Sequence, residues 1–279
     1  MNQPRPPRRS FLLGAASLAA LPAMRSAQAV DPAAAPRRVE HWQDLQAALF
    51  DGRVAEPAVG DALVLSAPRR AVDAAAVPVS VAVSPDLAAR LGALWLVVDE
   101  NPSPLALHAR VGPAGSLRLF STVVRVDAHT LVHAVAETRD GGLVSAAAFV
   151  EGSRGFSTPP KTDARAARET IGRMRLDMPE GPPAAGRVVP VGLTVCHPNT
   201  TGMQVDGRTR TPLPAFFLNQ MEVRYRGAEV VRIEAEPSVA EDPTFVFGLV
   251  GEPGGELRAE AEDTDGRRFR GVWTLGATG

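Results

Sequence analysis

Few side chains in this 279-residue chain could support covalent or acid–base chemistry, and their spacing sets what each could do. Cys196 is the single cysteine, which excludes an intramolecular disulfide, a CxxC redox pair and a cysteine-clamped zinc site. Its thiolate would be the strongest nucleophile available, and His197 follows it directly. Adjacent residues on a strand face opposite sides, however, so His197 is poorly placed to activate the sulfur, and Cys196 reads first as a small apolar side chain. Ser157 lies in no G-x-S-x-G turn and has no His-Asp context. His129 and His133 have a helical metal spacing, but they bracket the start of a strand, where four residues span about 13 Å. Asp99-Glu100 runs into Asn101-Pro102-Ser103-Pro104 and reads as a turn, as does His197-Pro198-Asn199. With no phosphate loop, haem attachment motif or triad in the sequence, neither a cofactor, a metal nor independent catalysis is expected.

The elements that must position these residues are mostly strands. After Trp42, Leu45 and Leu49, which recur at the spacing of one short helix, the period becomes two. Val77, Val79, Val81 and Val83 form one face of a half-buried strand, and Pro78 assigns it to an edge or a bulge. Strand-like runs follow at 94–98, 105–111, 117–126, 131–137 and 143–150. A second set occupies 188–195, 221–225, 229–235, 244–249, 256–262 and 267–273, so two β domains are expected. Ala134-x-Ala136-Glu137-x-x-Asp140-Gly141 recurs as Ala259-x-Ala261-Glu262-x-x-Asp265-Gly266, a strand entering an Asp-Gly hairpin each time. Between the domains, residues 151–186 begin and end as glycine- and proline-rich linker around one short helix bearing Ala164, Ala167, Ile171 and Met174 on one face.

Composition narrows the function classes. Thirty basic against 31 acidic residues leave no cationic footprint for nucleic acid, and no apolar run is long enough to span a bilayer. Residues 1–29 hold four arginines and no acid, an apolar stretch from Phe11 to Met24, and Ala27-Gln28-Ala29 as a cleavage signal. Arg8-Arg9-Ser10-Phe11-Leu12 resembles the twin-arginine translocation motif, with Pro7 where Ser or Thr is usual. An exported, periplasmic protein is expected, and residues 31–38 read as an Ala/Pro tether.

Two stretches carry a resemblance. Residues from about 42 to 150 resemble the SoxY subunit of the thiosulfate-oxidation carrier. The likeness lies in Pro68-Arg69-Arg70-Ala71, Val77-Pro78-Val79, Asp99-Glu100-Asn101-Pro102-Ser103-Pro104 and Ala134-Val135-Ala136-Glu137-Thr138. Residues from about 187 to 275 resemble SoxZ through His197-Pro198-Asn199-Thr200-Thr201-Gly202-Met203, Pro214-Ala215-Phe216-Phe217 and Asp263-Thr264-Asp265-Gly266. Order and fusion are similar to SoxYZ-like carriers associated with quinoprotein dehydrogenases. The resemblance implies an all-β fold of two immunoglobulin-like antiparallel sandwiches; together with the leader at 1–29 and the arm at 151–186, it sets a SoxY-like domain at 30–150 and a SoxZ-like domain at 187–279.

It also implies a thiol on a mobile glycine-rich arm. The matching stretch contains Gly152, Gly155, Phe156 and Ser157, with Phe156 where the family's cysteine would stand. A phenyl ring has no nucleophile, so the expectation is a binding or docking protein that has lost the covalent step. Its exposed Phe156 would anchor in a partner's pocket. The implied partners are periplasmic sulfur-oxidation enzymes, or a quinoprotein dehydrogenase and its c-type cytochrome. The alternative is a working carrier that uses Cys196 or binds a sulfur compound non-covalently.

Overall fold

The computed structural model describes residues 35–162 and 164–276; the leader and its twin-arginine motif lie outside them. The N-terminal half comprises α1 (Ala35–Leu49), β1 (Glu56–Pro57), β2 (Leu63–Ser66), β3 (Val77–Val83), α2 (Pro85–Arg90), β4 (Leu91–Val98), β5 (Leu105–Val111), β6 (Gly115–Val124), β7 (Thr130–Thr138) and β8 (Leu143–Val150). The connection holds α3 (Ala164–Thr170) and β9 (Met174–Asp177). The C-terminal half comprises β10 (Val188–Val195), β11 (Thr200–Thr201), β12 (Ala215–Phe216), β13 (Leu218–Tyr225), β14 (Ala228–Ala235), β15 (Thr244–Val250), β16 (Gly255–Asp263) and β17 (Arg268–Leu275).

These strands form an all-β sandwich, as expected, but the two halves are not separate. Among the described residues one sheet of nine strands runs β1-β8-β7-β4-β5-β14-β13-β16-β17, and a facing sheet of six runs β2-β3-β6-β15-β10-β9. Both cross the boundary between halves. β5 pairs antiparallel with β14 from Val111 opposite Val231 to Leu107 opposite Ala235, and β6 pairs with β15. A strand edge that would otherwise leave its peptide groups unpaired in each half is thereby closed by the other half. One apolar core, including Val81, Leu96, Leu107, Ile233, Phe245 and Phe247, runs through the sandwich. Each such side chain contributes about 1.5–3 kcal/mol by leaving water.

Period-two reading succeeds on β3, whose four valines are buried while Pro78 and Ala82 are exposed. β3 is not a sheet edge, since it lies between β2 and β6. β2 reaches only to Ser66 opposite Ser80, however, so β3 is open on that side at Pro78, where the missing N–H is tolerated. The two matching sequence segments do form hairpins, β7–β8 and β16–β17, with Gly141 (φ 88°) and Gly266 (φ 76°) in the left-handed region the turns require.

Two expectations on the connecting segments need correction, and one short helix is additional to those expected. Helix α1 begins at Ala35, inside the supposed tether. The linker contains strand β9, paired with β10, because Met174 and Leu176 can pack on the core edge. Helix α2 follows Ser84, whose Oγ accepts the Leu87 N–H, with Pro85 suited to its first turn. Trp42 of α1 packs with Phe50, Val135 and Trp95 on the outer face of the nine-stranded sheet.

Candidate functional site

The arm position lies where the halves meet. The chain leaves β8 at Val150 and enters a turn through Arg154, whose φ of 62° is left-handed. The Thr158 N–H closes that turn on the Arg154 carbonyl at 3.0 Å. Gly152 and Gly155 are there for space rather than mobility. A Cβ on Gly155 would lie 2.3 Å from the Ala74 carbonyl oxygen and 2.6 Å from that of Val126, and one on Gly152 would lie 2.7 Å from Val126 Cγ1. At Gly155 the neighbours are backbone atoms, and approach that close admits only glycine.

Phe156 is 1% exposed. The expected exposed aromatic anchor is therefore wrong: without a polar group the ring is drawn into the seam, and the segment is a strap rather than a swinging arm. Ser157 is exposed, and its hydroxyl donates to the Arg154 carbonyl, so nothing activates it.

Both halves hold the strap. Arg125, at the end of β6, is 1% exposed and donates from Nη1 to the Gly155 carbonyl and from Nη2 to the Asn199 carbonyl, each at 3.1 Å. Burial lowers its pKa, opposed by the charges of Glu241 and Asp73, and no described carboxylate forms an ion pair with it. Asp127 Oδ1 accepts the Phe156 N–H at 3.0 Å. From the C-terminal half the Thr201 hydroxyl donates to the Phe156 carbonyl at 2.8 Å, and Gln204 Nε2 donates to the Thr158 carbonyl at 2.7 Å. Farther along, Glu241 accepts the N–H groups of Lys161 and Thr162 at 2.7 and 2.9 Å.

Asn101, read from sequence as part of a turn, is buried at the same seam. Its amide donates to the Arg125 carbonyl and to Ser238 Oγ of the other half, and its Oδ1 accepts the Asp127 N–H. Ser238 in turn donates to the Ser103 carbonyl. Sequence reading missed Arg125 as well as Asn101's role. A lone guanidinium in the apolar alternation Val123-Val124-Arg125-Val126 was the signal that could have found it.

Cys196 is half-buried at the end of β10, with its backbone paired to Gly172 and Arg173. Burial pushes its thiol pKa up, and Asp242 adds to the rise against Arg173 and Arg175. His197 is buried and faces Asp263 rather than the thiol. Its Nδ1 accepts the Asn199 N–H at 3.1 Å, which leaves Nε2 as the proton-bearing nitrogen, 3.6 Å from Asp263 Oδ2. Burial holds His197 below the usual imidazole range, opposed by Asp263.

Asp99 is also more than a turn residue. Its carboxylate meets His133 Nε2 at 3.2 Å in a buried pair, and Trp42 stacks on the imidazole at 3.7 Å, fastening α1 to the sheet. His129 instead binds the Gly152 carbonyl through Nδ1. Among the described residues no group of three or more His, Cys, Asp or Glu is arranged to hold a metal, and no helix is long and apolar enough to cross a membrane.

Two families match the chain in order. The family described as sulfur oxidation protein SoxY matches residues 46–155, and the family described as sulphur oxidation protein SoxZ matches residues 176–274. No curated protein matches. Among solved structures, the sulfur carrier protein SoxY from Chlorobium limicola f thiosulfatophilum is similar at 23% identity, over 41% of this chain and 94% of that one, with a TM-score of 0.35. A Ca2+-stabilized adhesin of an Antarctic bacterium is similar at 12% identity over 81% of this chain and 49% of that one, with a TM-score of 0.23. The SoxY match ends within the strap and the SoxZ match begins within β9, so the chain is a fused SoxYZ-like protein.

Proposed function

We propose that this protein keeps the SoxYZ scaffold as a binding or docking module and has lost the covalent carrier step. It acts in the periplasm, exported by the twin-arginine route, on enzymes of sulfur (thiosulfate) oxidation or on a quinoprotein dehydrogenase and its c-type cytochrome. The observation that carries this reading is the strap. Its carrier position is a phenylalanine that is buried and held by both halves. Fusion keeps the two halves at an effective concentration of about a millimolar whatever their expression ratio, and does so under either reading.

The second reading, a carrier on Cys196, has the half-exposure of that thiol in its favour. Against it stands the raised thiol pKa, since the thiolate is the form that would hold sulfur. Binding titrations of the purified chain against a purified quinoprotein dehydrogenase with its c-type cytochrome, and against purified enzymes of thiosulfate oxidation, decide between them. Docking without carrying requires a complex that Cys196→Ala forms as well as wild type does. No complex with any of them, or one lost on removing the thiol, overturns the reading.

A further inference from the structure

Beside the strap lies a cavity of about 770 Å³, independent of any covalent step. It is walled by Pro160 of the strap, Ile171 just after α3, and Pro198, Leu213 and Phe216 of the C-terminal half. Its size falls within the roughly 300–1,000 Å³ typical of small-ligand sites, and such sites combine apolar walls with a few polar groups. The three segments that carry the SoxZ resemblance all reach it, through Pro198, Phe216 and Asp265.

The polar groups around it are unevenly committed. Lys161 Nζ is paired with Asp73 at 2.6 Å. Arg267 is paired with Asp265 at 3.2 Å and lies over the Phe216 ring, 5.0 Å from its centroid. Asp206 turns its Oδ1 inward onto the N–H groups of Arg208 and Thr209, so that carboxylate is occupied by its own loop. The Arg208 guanidinium lines the cavity and makes no ion pair within 4.0 Å among the described residues, although, with the hydrogen bonds of Thr209, its charge helps to lower the Asp206 pKa. The cavity thus offers apolar walls and one cation outside any ion pair, whose nearest acid, Asp206, is turned onto its own loop and feels the Arg208 charge.

We propose that this cavity binds a small organic anion with an apolar body and a single acidic head, the body against Phe216 and the prolines and the head on Arg208. Inorganic anions would use the head site alone and forgo the walls. Titration calorimetry of the full chain with 2-naphthalenesulfonate tests it, with 2-naphthol and sodium sulfate as the other arms. The expected result is saturable one-to-one binding of the sulfonate. Arg208→Ala should weaken it about tenfold or more, as loss of a charge-assisted hydrogen bond does. Ala215→Trp, at an exposed position on the cavity wall, should abolish it by filling the space. Melting curves establish that each variant is folded, and Arg208→Ala, on an exposed loop, keeps the test decisive if the tryptophan is not tolerated. No saturable binding, binding unchanged in Arg208→Ala, or sulfate or naphthol binding as tightly as the sulfonate would overturn the proposal.

Discussion

If the strap is closed, a thiol placed at its carrier position should be hidden. Phe156→Cys in a Cys196→Ala background puts the chain's sole sulfhydryl there. Reaching it requires breaking the bonds from Arg125, Thr201 and Gln204 to the strap carbonyls and the bond from Phe156 N–H to Asp127. Four such bonds at about 1 kcal/mol net each give an opening cost of about 4 kcal/mol. Wild type adds about 2–3 kcal/mol for the buried ring, most of which the substitution removes. At 1.4 kcal/mol per tenfold, the thiol should be exposed about one part in a thousand. Labelling by a chromogenic disulfide reagent should then run about a thousandfold slower in the native chain than in denaturant. A native rate within about tenfold of the denatured one, in a variant that still melts cooperatively, would refute the closed strap.

Other consequences follow from the same geometry. Arg125→Ala leaves the Gly155 and Asn199 carbonyls without their donor, and chemical denaturation should show a loss of about 2–4 kcal/mol; a loss under about 0.5 kcal/mol would mean the guanidinium does not hold the seam. Gly155→Ala should lower the melting temperature markedly, while Gly207→Ala, whose added Cβ meets nothing within 4 Å, should not. Equal effects would remove the close-approach argument. Because burial raises the Cys196 pKa, its alkylation rate should reach half-maximum at a pH above that of a free cysteine; a midpoint at or below about 8.5 would contradict this. His197 has a lowered pKa in the fold, so below about pH 6.5 the unfolded chain takes up a proton that the folded chain resists. Stability should fall as pH drops from that ordinary value toward the lowered one, and His197→Phe should flatten this limb of the melting-temperature profile. A parallel profile would assign the loss to other groups, among them His108, whose pKa burial also lowers.

What sequence alone reveals here is what local chemistry determines. The valine alternation of β3 and the two Asp-Gly hairpins are legible because periodicity and turn geometry act over a few residues. The joining of halves is not, since Arg110 and Glu234 meet across 124 positions and nothing local to β5 or β14 names the other. Burial of Phe156 was missed for a related reason. The glycines around it look like a flexible arm in sequence, whereas they permit close packing against Ala74 and Val126. Cys196 reads in sequence as a small buried apolar side chain, whereas its place just past the end of β10 leaves it only half-buried.

Intact mass spectrometry after incubation with thiosulfate and an oxidising cytochrome partner tests the loss of covalent carrying most directly. Wild type, Cys196→Ala and Phe156→Ser should all keep their unmodified masses. A thiosulfonate or persulfide adduct on wild type that disappears in Cys196→Ala would show that the carrier step persists on the displaced thiol, and would contradict the account.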